Sequence, residues 1–451
     1  PRRSRRRGRT AGRPTLAAAT ALATAGLALT PVSGAAEDVE PADPAACTLA
    51  PAPLRGTGEG PARRGFVRPE GHRRAAMVMV DFSDLPAVTP AAERAAFFSR
   101  YGDAYLKRAS YGTYRLTLTP TRTWIRMPRP WSAYGIARGA PVERMRRYVR
   151  DALRAAAAEG TRPADADLVY VVADSNVPAA PTVSQAHTFR TLRVGRARVH
   201  GAALIFGRAG DSPLWQRGNF VHEANHLYGL PDLYNVRRGA TVEYAGGWDT
   251  MSMAGISDLM GWHKAKLGWI PPHRVDCVVA PGTTEHVLTP IGAPGARLAV
   301  VRTGRYTALV AEARTRTGLD RGLCTEGVLL YSVSSRVPSG LGPVRVVDSR
   351  PRSLGGPSCA DRLPAELAEL SDAPFRPGEG HTFDNGVRME VTRAADGAFG
   401  LRVRVPDRDP PDTAQGPQGP SPGARSRPGR ARGRTAAQSG CRRTQWPSPR
   451  G

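Results

Sequence analysis

Apolar positions in the first half of the chain alternate between strand-like and helix-like spacing. "AAMVMVDFSD" (75–84) is an unbroken apolar run that ends in acidic turn residues, which is typical of a buried strand, and we expect the ordered fold to begin there. Helical spacing follows over 90–112 and 141–160, and each of these predicted helices ends at a glycine. Further strands are predicted in "TYRLTLTPTRTWIRM" as a strand pair, in "DADLVYVVAD" and in "RVHGAALIFGR". This alternation indicates a mixed α/β (α+β) domain over 72–285.

The pattern changes after about residue 285. Short β-branched runs recur between Gly and Pro turns, which predicts a β-rich C-terminal module over 286–405. Residues 37–71 are rich in Pro, Ala and Gly and are interpreted as a linker or short pro-segment. Residues 406–451 are too poor in apolar side chains to bury a core, so we expect a disordered basic tail.

The formal net charge of +25 on 451 residues first suggests a polyanion partner. Just over half of it lies at the two ends, because residues 1–36 hold seven arginines without an acid and residues 407–451 hold nine arginines against three aspartates. No basic stripe is interleaved with aromatic residues, as nucleic-acid binding would require. We therefore expect no specific nucleic-acid partner, and a polyanion-binding function residing in the tail is a weaker hypothesis.

The first 36 residues resemble an export signal. Arginines precede "TLAAATALATAGLALT", an apolar run too short to span a membrane comfortably, and small residues suited to cleavage follow in "PVSGAAED". A buried Ala-rich helix is the alternative, but it would need no basic flank. The prediction is a signal peptide over 1–36 and a secreted, extracellular product that leaves the membrane after cleavage and is expected to be a monomer.

Five cysteines are present, and none forms a CxxC pair. This spacing argues against thiolate zinc sites and redox motifs. In an exported protein, an odd number of cysteines predicts one or two disulfides and at least one unpaired cysteine. The favoured bridge is Cys324–Cys359, Cys47–Cys277 follows by elimination, and Cys441 is the leftover. An alternative for Cys47 is a thiolate that caps a metal until the pro-segment is removed.

One stretch carries distinctive chemistry: "VHEANHLYGLPDLYN" (221–235), in a helix for which Ser212 is a plausible N-cap. His222 and His226 lie four apart, so on a helix both imidazoles share one face. Glu223 is displaced from that direction, which suits a general base better than a metal ligand. A glycine then allows the chain to turn back and bring Asp232 to the same ion. Three protein ligands with a position left for water indicate one catalytic Zn²⁺, whereas a helix end with incidental histidines would not need this spacing.

A methionine-bearing turn follows in "GGWDTMSMAG" (246–255). Met251 or Met253 lies about twenty residues beyond the predicted third ligand, where a methionine can form an apolar floor under the metal ligands. Met251 is the first choice. Without the preceding motif, both methionines would be interpreted as core residues.

On these motifs the chain resembles the secreted bacterial zinc metallopeptidases of the immune inhibitor A type, which belong to the metzincins. The matching segments are "HEANHLYGLPDLYN", "GGWDTMSMAG" and "KAKLGW", within a resemblance that extends from about 75 to 403. The resemblance implies a metzincin-like domain with a twisted mixed sheet and an active-site helix. It also implies zinc held by His222, His226 and Asp232, Glu223 as base and Met251 beneath. Asn225 departs from the family, which usually has Gly there; calcium is allowed rather than predicted, since no dense aspartate cluster is present.

The resulting hypothesis is a secreted zinc-dependent endopeptidase that hydrolyses protein or peptide substrates through a metal-activated water. Tyr234 and His187 are additional candidates for stabilising an oxyanion, although packing or surface roles are simpler for them and for His200 and His263. "GAALIFGR" is expected to be the strand at the edge of the cleft. The alternative from another class is a secreted zinc-containing binding protein with a structural or inactive site.

Overall fold

The computed structural model describes residues 42–407 apart from 54–55, 62–64, 162–165, 167, 196, 238–239, 256, 354 and 356–367. The predicted signal peptide and almost all of the predicted basic tail therefore lie outside the described residues. The described part is a mixed α/β structure with three sheets and few helices. The helices are α1 (Ala91–Ala109), α2 (Trp131–Tyr134), α3 (Val142–Ala158), α4 (Pro213–Leu227) and α5 (Gly261–Lys266).

The first sheet has the strand order β2-β1-β4-β6-β5, with the short β3 also paired to β1. Its neighbouring strands are parallel except for β5, which is antiparallel to β6. The predicted strand pair of 113–127 is thus two strands that each pair with β1 rather than with one another. The bounds are β1 (Gly71–Asp81), β2 (Tyr114–Pro120), β3 (Ile125–Arg126), β4 (Leu168–Ala173), β5 (Gln185–Val194) and β6 (Ala197–Ile205).

Both faces of this sheet are covered, which explains why β1 and β4 are apolar without alternation. Successive side chains of a strand point to opposite faces. Met77 and Met79 of β1 therefore lie in one core cluster, with residues of α1 and α4. Val78 and Val80 lie in a second cluster, with residues of α3. The helix that carries the predicted metal ligands is consequently packed on one face of the sheet.

The C-terminal part of the described chain is β-rich, as the sequence indicates. A five-stranded sheet has the order β12-β11-β10-β9-β7, and a four-stranded sheet has the order β13-β14-β15-β8. The bounds are β7 (Val275–Val278), β8 (Gly282–Leu288), β9 (Leu298–Arg302), β10 (Thr307–Arg314), β11 (Gly327–Ser334), β12 (Val344–Val346), β13 (Gly380–Thr382), β14 (Arg388–Ala395) and β15 (Ala398–Val405).

The predicted boundary between residues 285 and 286 falls inside β8. Side chains from before and after that boundary in the sequence belong to one core cluster. This cluster includes Val221 of α4, Val300 of β9 and Val310 of β10. The opposite face of the five-stranded sheet packs in a separate cluster with Met389 and Leu401 of the four-stranded sheet. Because the β-rich part shares a core with α4, its loops are able to reach the predicted site.

The segment before β1 is packed against the body, so the expectation that order begins near residue 75 is wrong. A disulfide joins Cys47 to Cys277, and the Ala42 N–H donates to the Cys277 carbonyl at 2.8 Å. Glu59 is buried among side chains of α5. The disulfide confirms the Cys47–Cys277 pairing and rules out a capping thiolate on Cys47 here. Cys324 is also disulfide-bonded, but its predicted partner Cys359 lies outside the described residues.

Candidate metal centre

Helix α4 carries the histidine motif and has well-defined ends. The Ser212 side chain caps its N-terminus by accepting the Trp215 N–H, and Pro213 occupies the first helical position, as predicted. After the last helical residue, Gly229 has a φ of +96°, a conformation that glycine adopts without strain. The chain therefore turns back sharply and brings Asp232 to the face of α4 that carries His222 and His226.

The three predicted ligands converge. Asp232 Oδ1 lies 3.1 Å from His222 Nε2 and 3.1 Å from His226 Nε2. The two imidazole rings are nearly perpendicular, with centroids 4.7 Å apart. One ligand atom from each residue lies within 4.8 Å of the other two. A tetrahedral zinc with bonds of about 2.0–2.1 Å separates its ligand atoms by roughly 3.3 Å, so these spacings fit such an ion.

The other ring nitrogen of each histidine determines what the site can bind. His222 Nδ1 donates to the Thr250 carbonyl at 3.0 Å, and His226 Nδ1 donates to the Leu230 carbonyl at 2.8 Å. A neutral imidazole that donates from Nδ1 has only a lone pair on Nε2. The Nε2 lone pairs of His222 and His226 and the carboxylate oxygen of Asp232 therefore face each other. These electron-rich atoms repel one another unless a cation or shared protons lie between them. This is the arrangement in which histidine binds metals.

The electrostatics of the three side chains favour positive charge at their meeting point. Without a bound cation, shared protons take its place: burial alone would raise the pKa of Asp232, but His226 and hydrogen bonds from both imidazoles hold it well below the usual range. Burial alone would lower the pKa of His226, but Asp232 raises it to about 9. Among the residues that the structure describes, no other group of three His, Cys, Asp or Glu side chains is arranged this closely.

Glu223 is buried beside the ligands without being one of them. The backbone N–H of Ala186 is close enough to lower the pKa of Glu223, whereas Oε2 has no hydrogen-bond partner in the described part of the chain. Burial raises the pKa of Glu223, and the neighbouring His226 and His222 oppose that rise. A buried carboxylate oxygen without a partner is a costly arrangement in a folded protein, and such groups are often held for chemistry.

The methionine turn connects the two segments that supply ligands. Its Thr250 carbonyl orients His222, and the Met251 carbonyl accepts the Leu233 N–H at 3.0 Å, next to Asp232. Met251 is completely buried, and Met253 is 8% exposed. The backbone of this turn thus holds both ligand-bearing segments, and the role of the Met251 side chain as a floor stays a prediction.

Two of the four additional aromatic candidates lie near the ligands. The Tyr234 ring is centred 6.0 Å from the His222 ring, with the Arg138 guanidinium 5.6 Å from the Tyr234 ring centroid. His187 lies on β5, and its pKa is lowered by burial and then by His226. By contrast, His200 is exposed on β6, and His263 is buried in another cluster.

The edge strand is not the one expected. "GAALIFGR" falls on β6, which pairs with β4 on one side and β5 on the other, so its prediction as the cleft edge is wrong. The edge strand on this side of the sheet is β5, where the backbone N–H of Ala186 lies close enough to Glu223 to lower its pKa. Sequence reasoning missed β5 because Phe189 and Leu192 break the two-residue alternation where the ladder register shifts.

Several residues that support the site were also missed. The Thr250 carbonyl is a backbone group, so its contact with His222 leaves no signature in residue type. Ser339 contacts Asp232 from a loop more than a hundred residues away. Asn225, the departure from the family pattern, is completely buried, and neither of its amide atoms has a hydrogen-bond partner among the described residues.

No family model matches the chain, and no curated protein matches it either. None of the helices in the described ranges is long and apolar enough to cross a membrane. The side chains of the candidate metal centre are therefore the main guide to function.

Proposed function

We propose that this chain is a secreted zinc-dependent endopeptidase with a metzincin-like fold, of the immune inhibitor A type. The observation that carries the proposal is the convergence of His222 Nε2, His226 Nε2 and Asp232 Oδ1 with both Nδ1 atoms already bound to carbonyls. Three protein ligands are typical of a catalytic zinc, whereas a structural zinc usually has four.

Each residue has a distinct role in the proposed reaction. His222, His226 and Asp232 hold the zinc ion, which supplies Lewis-acid activation of water and of the substrate carbonyl when bound. Glu223 takes the proton of the attacking water at Oε2, the oxygen left without a partner, and passes it to the leaving amine. Burial supports this role because it raises the pKa of Glu223 and makes the proton easier to hold.

The edge strand β5 is the proposed support for substrate. A peptide that adds to the free edge of a sheet is held by main-chain hydrogen bonds, which accept many sequences. The backbone N–H of Ala186 on β5 influences the pKa of Glu223, so this edge lies near the proposed base. The proposed substrates are therefore extended segments of proteins or peptides.

The proposal is tested with purified full-length protein, by measuring bound zinc and casein hydrolysis with and without a chelator. Glu223→Gln should keep the zinc and lose about 10²–10⁴-fold in kcat/KM, because general acid–base catalysis contributes about that factor. Glu159→Gln, an exposed glutamate at the end of α3, is the matched control and should keep full activity.

Full activity of Glu223→Gln would contradict the proposed mechanism. Stoichiometric zinc without hydrolysis of any protein substrate by the wild type would instead favour the binding-protein alternative. Absence of zinc from protein refolded with excess zinc would remove the proposal altogether.

A further inference from the structure

A loop of the β-rich part reaches the candidate metal centre. It connects β11 to β12 and contacts the backbone and side chain of Asp232 through consecutive residues. The Asp232 N–H donates to Ser339 Oγ at 2.8 Å, and Ser339 Oγ donates to Asp232 Oδ2 at 2.9 Å. The Gly340 N–H donates to the Asp232 carbonyl at 2.9 Å. Asp232 is therefore held at three atoms by a segment distant in sequence from the histidine motif.

The direction of these hydrogen bonds is determined by chemistry. A backbone N–H can only donate, so the Ser339 oxygen is the acceptor in its contact with the Asp232 backbone. The single hydroxyl hydrogen of Ser339 is then available for Asp232 Oδ2. This leaves Oδ1 as the oxygen that faces both histidines, at 3.1 Å from each Nε2.

The loop can approach so closely because of a glycine. Gly340 has a φ of +73°, and a Cβ added there would lie 2.4 Å from Val236 Cγ1. The Val236 N–H also donates to the Gly340 carbonyl at 3.0 Å. The loop is thus paired with Asp232 and with Val236, four residues later, and the bond from Ser339 restricts rotation of the Asp232 carboxylate.

We propose that Ser339 is a positioning residue that makes Asp232 a one-oxygen ligand by holding Oδ2 away from the metal. This inference rests on the proposed zinc site, and it makes the β-rich part a component of that site. Residues that orient metal ligands typically contribute about 10–100-fold to metal affinity.

The test is the zinc affinity of the purified full chain, measured by competition with a chromogenic chelator. Ser339→Ala should bind zinc about 10–100-fold more weakly, and Ser339→Thr, which keeps the hydroxyl, should recover most of that loss. Ser335→Ala is the matched control: its hydroxyl donates to the Ala50 carbonyl at 2.7 Å, and its loss should leave the zinc affinity unchanged.

A second readout separates positioning from folding. With excess chelator, Ser339→Ala should lose less thermal stability than it loses in the zinc-loaded protein, because only its own hydrogen bonds are then missing. Cobalt(II) bound in place of zinc should show a changed visible spectrum. Wild-type zinc affinity in Ser339→Ala, or an equal loss of thermal stability with and without metal, would overturn the inference. Casein hydrolysis is measured separately: a wild type that binds zinc but is inactive contradicts the proposed peptidase and not the role of Ser339.

Discussion

The cluster around His263 and the candidate metal centre are both buried and both combine histidine with carboxylates, but they use the ring nitrogens in opposite ways. In the first, His263 is completely buried, with Nδ1 2.8 Å from Asp249 Oδ2 and Nε2 3.0 Å from Glu59 Oε1. In the second, the candidate metal centre, each histidine binds a backbone carbonyl through Nδ1 and turns Nε2 towards Asp232.

In the first cluster, the positive charge of His263 is balanced by its two carboxylate partners. Burial would lower the pKa of His263, but Asp249 and Glu59 raise it to about 10, so both ring nitrogens carry protons. The remaining carboxylate oxygens accept the Trp262 indole N–H at 2.9 Å and the Met251 N–H at 2.7 Å. In this comparison, the partner of the second ring nitrogen distinguishes an ion-pair network from a candidate metal site, although both contain the same residue types.

The largest expected difference between the clusters is in metal binding. His226→Ala removes one of three ligands and should weaken zinc binding by more than about 100-fold, since even changes to the groups that orient ligands cost about 10–100-fold. Zinc titration with a competing chelator measures this. His200→Ala, at an exposed histidine, should bind zinc like the wild type; retention of wild-type affinity in His226→Ala would break the comparison.

Removing the histidine of the first cluster should instead affect the stability of the fold and leave metal binding intact. His263→Ala leaves two buried carboxylates without their shared partner and should lower the free energy of unfolding by about 3–5 kcal/mol. Denaturant unfolding of the zinc-loaded protein measures the loss. His263→Ala should still bind one zinc per chain. If this variant had wild-type stability but had lost its zinc, the roles assigned to the two clusters would be reversed.

The Cys47–Cys277 bridge should make a contribution of somewhat smaller size. It closes a separation of 230 residues and fastens the segment that carries Glu59. Replacing both cysteines by serine should lower the free energy of unfolding by about 2–4 kcal/mol. Denaturant unfolding with a reductant provides the control: the two proteins should then unfold alike, because the reductant breaks the Cys47–Cys277 bridge of the wild type and the Cys324 bridge of both. An unaltered unfolding curve would contradict a stabilising role.

A pH dependence of stability from His263 sharpens the comparison further. Its pKa is raised from 6.5 to about 10 on folding, so its contribution is fully present below about pH 6.5 and is lost as the pH rises through about 10. The pKa of Glu59 is lowered, so Glu59 adds no slope in that window. The wild type should lose its stability advantage over His263→Ala between these two pH values; parallel unfolding profiles would show that His263 is not charged in the folded protein.

Much of the site was predictable from local spacing. A four-residue interval places His222 and His226 on one face wherever a helix forms, and the glycine before Asp232 permits the chain to turn back. The β-branched runs after residue 285 became strands because β-branched side chains favour extended chain and Gly and Pro turns separate the runs. These properties depend on neighbours within a few residues, and the amino-acid sequence carries them directly.

Long-range packing decided the rest. Residue type does not reveal that the Thr250 carbonyl orients His222, that Ser339 holds Asp232, or that Glu59 lies beside His263. Such contacts depend on how sheets and loops meet across more than a hundred residues, and a serine or glutamate in a Gly- and Pro-rich stretch resembles any exposed polar residue. The sequence by itself determined which residues can bind a metal. The tertiary structure determined which atoms hold those residues in place, because a buried polar group acquires a specific partner only after the chain has folded.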